Sequence, residues 1–77
     1  MNHKRRKEID KAIGLLEEAK SILEQCASEE REVYDNMPEN LQSGDRGQTT
    51  ERCADALDEA VSNLDDVINN ASDMRGE

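Results

Sequence analysis

Through the second half of the chain, apolar side chains recur at alternating steps of four and three residues. The unbroken series is Cys53, Leu57, Ala60, Leu64, Val67, Ala71 and Met74, with Ala54, Val61 and Ile68 adding a third position every seven residues. Because an α-helix makes one turn in about 3.6 residues, this spacing aligns the apolar side chains along one side of a helix. It predicts a long amphipathic helix over about residues 43–72, with Ser43 as its N-cap and Asp45 in its first turn. Thr49 and Thr50 are the alternative caps, for a helix that starts later.

The first half carries a wider apolar pattern. Its main row is Ile9, Ile13, Leu16, Leu23, Ala27, Tyr34 and Met37, interrupted by Lys20 and Glu30. A second row runs beside it: Ala12, Leu15, Ala19, Ile22, Cys26 and Val33. The two rows predict a helix over about residues 8–36 with an apolar side broader than a two-stranded coiled-coil seam. Gly14 is the one poor helix former in this segment, and we expect it to admit the close approach of another helix.

Pro38, the only proline, separates the two helices. Its ring disfavours the α conformation at Met37, so the first helix should end near residues 35–36 and leave a turn of about residues 37–42. This length is typical of an antiparallel αα-hairpin. Cys26 and Cys53 are equidistant from a turn centred between positions 39 and 40, so we expect them at one level, packed as unbonded thiols.

The composition predicts that the hairpin does not stand alone. The 77 residues include no Phe, no Trp and one Tyr, and a chain this short buries only about 60% of its unfolded surface. A hairpin with stripes this wide leaves an apolar edge exposed, which soluble monomers rarely tolerate. The predicted fold class is therefore all-α: residues 1–77 form a single antiparallel two-helix hairpin that assembles as a homo-oligomeric bundle. A dimer is the simplest closure, and higher assemblies stay open.

The net charge of −9 is unevenly distributed and argues against several partners. Residues 3–7 carry four positive charges, whereas residues 8–77 hold six basic residues and all nineteen acids. A body this acidic repels nucleic acid backbones and anionic lipids, so neither is expected as a direct partner. The apolar runs are too short for a signal peptide or a membrane span. We therefore expect a cytosolic protein whose cysteines are reduced.

The residues that carry most enzyme chemistry are missing or badly placed. The only histidine is His3, near one end, so a Ser-His or Cys-His pair is not expected. Cys26 and Cys53 lack metal-ligand spacing, and the paired acids lack the nearby histidines of a di-metal bundle. The chain is predicted to be non-enzymatic, with no catalytic residue, metal or cofactor.

The stretch VYDNMPENLQSGDRGQ, residues 33–48, has two interpretations. It is a plain turn, in which proline stops one helix and Ser43 starts the next. Alternatively it binds a nucleotide-like ligand, because it offers a ring for stacking, amides, a guanidinium and a helix N-terminus suited to phosphate. The candidate ligand-binding residues are Tyr34, Asn36, Asn40, Gln42, Ser43, Gly44, Arg46 and Gln48.

The segment EEREVYDNMPENLQSGDRGQ, followed by the acidic-aliphatic LDEAVSNLDDVI, resembles a class of very short helical-hairpin proteins encoded by bacteriophages and mobile elements of bacteria. The resemblance implies a binding role in the cytosol of a bacterial host, because some small oligomeric phage proteins counter immunity. The leading hypothesis is an anti-defence protein that sequesters a nucleotide-derived immune signal. The alternatives are an acidic protein that inhibits a host protein, by direct binding or nucleic acid mimicry, and a structural assembly protein.

Overall fold

The computed structural model describes residues 2–76 and is all-helical over that range. It comprises α1 (His3–Asp35), α2 (Glu39–Gln42) and α3 (Asp45–Arg75). The long helices α1 and α3 pack side by side in antiparallel directions, within a Cα envelope of 58 × 14 × 12 Å. The predicted all-α class and helix pair are confirmed. Positions 1 and 77 of the predicted domain lie outside the described residues.

The first helix begins earlier than predicted. Asn2 is its N-cap, with a side-chain oxygen that accepts a hydrogen bond from the Arg5 backbone N–H at 2.8 Å. This satisfies one of the orphan donors of the first turn, so α1 starts at His3 rather than near position 8. It ends at Asp35, within the range of residues 35–36 that was predicted from the position of Pro38.

The turn contains a helix of its own. The backbone N–H groups of Leu41 and Gln42 both donate to the Pro38 carbonyl, at 2.8 and 3.1 Å, and close the single turn of α2. Ser43 is the C-cap of α2, and its hydroxyl donates to the Asn40 carbonyl at 3.4 Å. The prediction that Ser43 caps the second long helix is therefore wrong. That position belongs to Gly44, and α3 continues to Arg75.

Two cross-helix ion pairs define the register of the hairpin. The Arg75 guanidinium lies 2.8 Å from an Asp10 carboxylate oxygen, and the Lys20 ammonium lies 2.5 Å from Asp65. The midpoint of each pair falls between positions 42 and 43, three residues beyond the predicted centre. The difference follows from α2, which takes up the residues before position 43 in a helical turn.

The predicted alignment of the two cysteines is wrong for this reason. In the observed register, Cys26 is level with Glu59. Cys53 lies six residues nearer the turn, which is about 9 Å along the helix axis at 1.5 Å per residue. Both thiols are free; Cys26 is half-buried and Cys53 is exposed.

The seam between the long helices is narrow. All its members are buried or half-buried: Ile9, Ile13, Leu16, Lys20, Leu23, Ala27, Glu30 and Tyr34 from α1, and Gly47, Thr50, Ala54, Leu57, Val61, Leu64, Ile68 and Ala71 from α3. Among the described residues, the apolar ones that count as buried are Ile13, Ala27 and Ala54. The apolar row predicted for α3 therefore divides, since Leu57 faces the seam while Cys53 lies outside it.

Candidate functional site

The two glutamines proposed as ligand readers close the turn instead. The Gln42 side-chain amide donates to the Tyr34 backbone carbonyl at 2.9 Å and links α2 to the end of α1. The Gln48 amide donates to the Ser43 carbonyl at 3.3 Å and links α3 back to the turn. These bonds hold the three helix ends in one arrangement, and each of them uses one of the two amide N–H donors of its glutamine.

The backbone donors proposed for a phosphate are also in use. The Ser43 N–H donates to the Glu39 carbonyl at 3.4 Å, and the Gly44 N–H donates to the Leu41 carbonyl at 3.2 Å. Asp45 places a carboxylate in the first turn of α3, where it complements the positive end of the helix dipole. The predicted phosphate contact through the N–H groups of Ser43 and Gly44 does not fit this geometry.

Tyr34 packs against α3 rather than standing free for stacking. It is half-buried in a pocket that it shares with Arg31, Asp35, Glu51, Ala54 and Asp55. Partial burial raises the pKa of the Tyr34 phenol, and the Glu51 carboxylate raises that pKa further. The pocket walls carry three carboxylates and one guanidinium, a balance that disfavours an anionic ligand.

Asn36, Asn40 and Arg46 are the predicted residues that stay available. All three are exposed at the turn end of the hairpin. The hydrogen bonds and ion pairs within residues 2–76 do not involve their side chains. Two amides and a guanidinium can contact an anion with polar edges, but they lie on the surface and not in a pocket closed by the other predicted residues.

Gly47 is a structural residue that the sequence pattern did not single out. It is buried where α3 passes α2, and a Cβ atom there would lie within 2.5 Å of the Gln42 Cα and of the Leu41 carbonyl oxygen. Real Cβ contacts are essentially never that short, so this crossing accepts only glycine. The sequence did contain a signal for this role, because Gly47 lies inside the predicted second helix. Glycine destabilises a helix interior, so its presence there suggests that another segment packs closely against the backbone.

One side of the hairpin holds the cross-helix ion pairs, and we call it the charged face. Its members mostly follow a seam residue by one position: Asp10, Arg31, Glu51, Asp55, Asp58 and Asp65, together with Lys20 and Arg75. Arg31 contacts Asp58 and lies 3.8 Å from Asp55. The pKa of Lys20 is raised, chiefly by its hydrogen bond to Asp65. Side-chain partners are therefore concentrated on this face.

The opposite side is apolar and uncovered, and we call it the open face. Its members precede a seam residue by one position, which rotates them by about 100° to the same side of both antiparallel helices. Met74 is the exception, and it continues the same row seven residues beyond Val67. Its apolar members are Ala12, Leu15, Ala19, Ile22, Cys26 and Val33 from α1, and Cys53, Ala56, Ala60, Val67 and Met74 from α3. The same two rows also contain the exposed polar residues Glu29, Asn63 and Asn70. The side chains of Leu15 and Ile22 are each 58% exposed, and that of Met74 is 54% exposed.

The part of the open face nearest the turn is concave. A groove of about 520 Å³ runs there between the long helices, lined by Cys26, Glu29, Glu30, Cys53, Ala56 and Leu57. Small side chains on both helices leave this depression. The part of the face furthest from the turn carries Leu15, Val67 and Met74, whereas Val33 lies at the end nearest the turn.

Comparisons with models of known protein families, with curated proteins and with solved structures found no match to this chain. None of the helices in the described part is long and apolar enough to cross a bilayer. Residues 2–76 also contain no group of three or more histidine, cysteine or acidic side chains arranged to hold a metal ion.

Proposed function

We propose that this protein works as a homo-oligomeric helical bundle that acts by binding and performs no catalysis. The open face is the observation that supports this proposal. It runs along both long helices, most of its side chains are apolar, and no other part of residues 2–76 packs against it. Exposed apolar surface of this extent is typical of a protein interface.

The small number of buried apolar residues in the seam also supports association, because it gives a single hairpin little stability. Three small or medium apolar residues, Ile13, Ala27 and Ala54, are the buried hydrophobic residues of the described chain. Small domains with such cores usually gain stability from disulfides, metals or association. The two thiols are free, which leaves association as the remedy that this sequence offers.

Sedimentation equilibrium over a range of protein concentrations tests the proposal. We expect a species of at least twice the chain mass of 8.7 kDa, with unfolding that shifts to higher temperature as the concentration rises, because association stabilises the folded state by mass action. A monomer whose melting temperature does not depend on concentration would refute the proposal.

A second candidate function is the capture of an anionic, nucleotide-derived signal at the turn end. Exposed Asn36, Asn40 and Arg46 favour it, since Arg46 is a cation free of ion pairs within the described chain. The resemblance to short phage-encoded hairpins supports an anti-defence role for such binding.

Titration calorimetry with a cyclic dinucleotide, and separately with inorganic phosphate, tests this candidate. We expect binding of the dinucleotide by the wild type and its loss in Arg46→Ala. Arg52→Ala is the matched control, because it removes the same charge from an exposed position nearly two turns further along α3. Absence of heat with the wild type, or equal loss in both variants, would exclude Arg46 as a specific contact.

A further inference from the structure

The open face has a different shape at each end. Of its large exposed side chains, Leu15, Val67 and Met74 lie in the half away from the turn, Ile22 lies at the boundary between the halves, and Val33 lies near the turn. The groove lies in the half near the turn. A surface with most of its protruding side chains at one end and a groove at the other is complementary to itself when one copy is reversed end for end.

The charge of the hairpin also differs between its two ends. Residues 22–62, which form the turn half, hold eleven acids and three basic residues, and hence a formal charge of −8. Residues 2–21 and 63–76, which form the other half, hold seven acids and seven basic residues. Two copies aligned in the same direction would place one −8 half against the other, whereas reversed copies place each −8 half against a neutral one.

The two rows of the open face also share a centre. On α1 the row occupies positions 12, 15, 19, 22, 26, 29 and 33, and on α3 it occupies 53, 56, 60, 63, 67, 70 and 74. The central positions are Ile22 and Asn63, whose midpoint between positions 42 and 43 is that of the ion pairs. Both rows are therefore centred at one level of the hairpin, as an isologous two-fold contact requires.

We propose that the open face binds a second copy of this chain head to tail, around a two-fold axis that passes by Ile22 and Asn63. The proposal rests on the homo-oligomer proposed above and specifies its contact. Each α1 faces the α1 of the other copy, and each α3 faces the other α3. Met74 of one copy covers Cys53 of the other, Val67 covers Ala60, and the two Asn63 amides meet at the axis.

The charged ends fit this arrangement. Head-to-tail packing brings the basic residues 3–7 of one copy beside the turn of the other, where Asp35, Glu39 and Asp45 lie. Glu29 and Glu30 line the groove, and their aliphatic stems can contact an apolar side chain while the carboxylates stay in water.

Cysteine crosslinking tests the orientation directly. The test protein is Cys26→Ala with Met74→Cys, which retains Cys53. Positions 53 and 74 are 21 residues apart on one straight helix, about 31 Å, so a short bismaleimide cannot join them within a chain. The controls are two single-cysteine proteins: Cys26→Ala alone, and Cys26→Ala with Cys53→Ala and Met74→Cys. Sedimentation of all three first establishes whether they associate.

We expect covalent dimer on a denaturing gel from the two-cysteine protein and its loss in both single-cysteine controls. If the proteins associate but the two-cysteine protein gives no covalent dimer, or a single-cysteine control crosslinks equally, the head-to-tail arrangement is wrong while the homo-oligomer stands. If wild type and variants sediment as monomers, both proposals fail.

Discussion

Alanine at Gly47 is expected to destabilise the hairpin, although alanine is the better helix former. The new Cβ would lie within 2.5 Å of backbone atoms of Leu41 and Gln42. Backbone cannot rotate out of the way as a side chain can, so α2 and α3 must separate by about 1 Å. Overpacking costs about 1–3 kcal/mol, and we take the upper end here. The gain of about 1 kcal/mol in helix propensity offsets part of it.

The net expectation for Gly47→Ala is a loss of about 2 kcal/mol, and Gly14→Ala is the matched control. A Cβ at Gly14 would meet no atom within 4 Å in the hairpin, so the same substitution there should gain about 1 kcal/mol. At about 4–8 °C per kcal/mol for a chain of this size, the two melting temperatures should differ by roughly 12–24 °C.

Thermal unfolding followed by circular dichroism at 222 nm, at one fixed protein concentration, measures both variants. The crossing of α2 and α3 would be refuted if Gly47→Ala melted at or above the wild-type temperature. A loss of stability in Gly14→Ala would have a different meaning. It would show that another chain approaches this exposed glycine, as the sequence pattern predicted.

Three further predictions concern the open face, the turn and the tyrosine. Ile22→Lys should raise the dimer dissociation constant, measured by sedimentation, at least about 100-fold. The reason is that each of the two copies loses about 1.5 kcal/mol of binding free energy from the apolar surface that Ile22 buries. Ser21→Lys, one position away, should have little effect. Gln42→Ala should cost about 1 kcal/mol in urea unfolding through the lost bond to the Tyr34 carbonyl, whereas Asn40→Ala should stay within about 0.5 kcal/mol; equal effects would contradict the proposed roles. Folding raises the pKa of Tyr34 above its ordinary value of 10.0. The contribution of the phenol to stability is therefore full below pH 10.0 and falls as the pH rises from there through the folded-state pKa. Tyr34→Phe should lose less stability above pH 10.0 than the wild type does, and an equal loss of stability in both proteins would contradict this role of Tyr34.

The fold class and the end of the first helix were accessible from sequence because local rules decide them. Regular spacing of apolar residues specifies a helix, and Pro38 ends one through local steric effects that do not depend on tertiary packing. The start of α1 at His3 also has a local cause, the Asn2 cap, but the basic residues that follow carry no apolar periodicity to reveal it.

The register and the site depended on packing that periodicity does not describe. The single turn of α2 displaced the centre of the hairpin by three residues, which moved Cys26 out of level with Cys53. The same turn took up the Gln42 amide and the N–H groups of Ser43 and Gly44. The Gln42 and Gln48 side chains, which the sequence suggested as ligand donors, therefore form hydrogen bonds that close the turn.

The reactivity of the Cys53 thiol tests the central claim most directly. In a single chain Cys53 is exposed, whereas in the proposed assembly it is covered by Met74 of the other copy. In Cys26→Ala, maleimide labelling of Cys53 should be slow at high protein concentration and should speed up on dilution or with Ile22→Lys. Equally fast labelling under all these conditions, at the rate of the urea-unfolded chain, would show that the open face stays uncovered and would contradict the account.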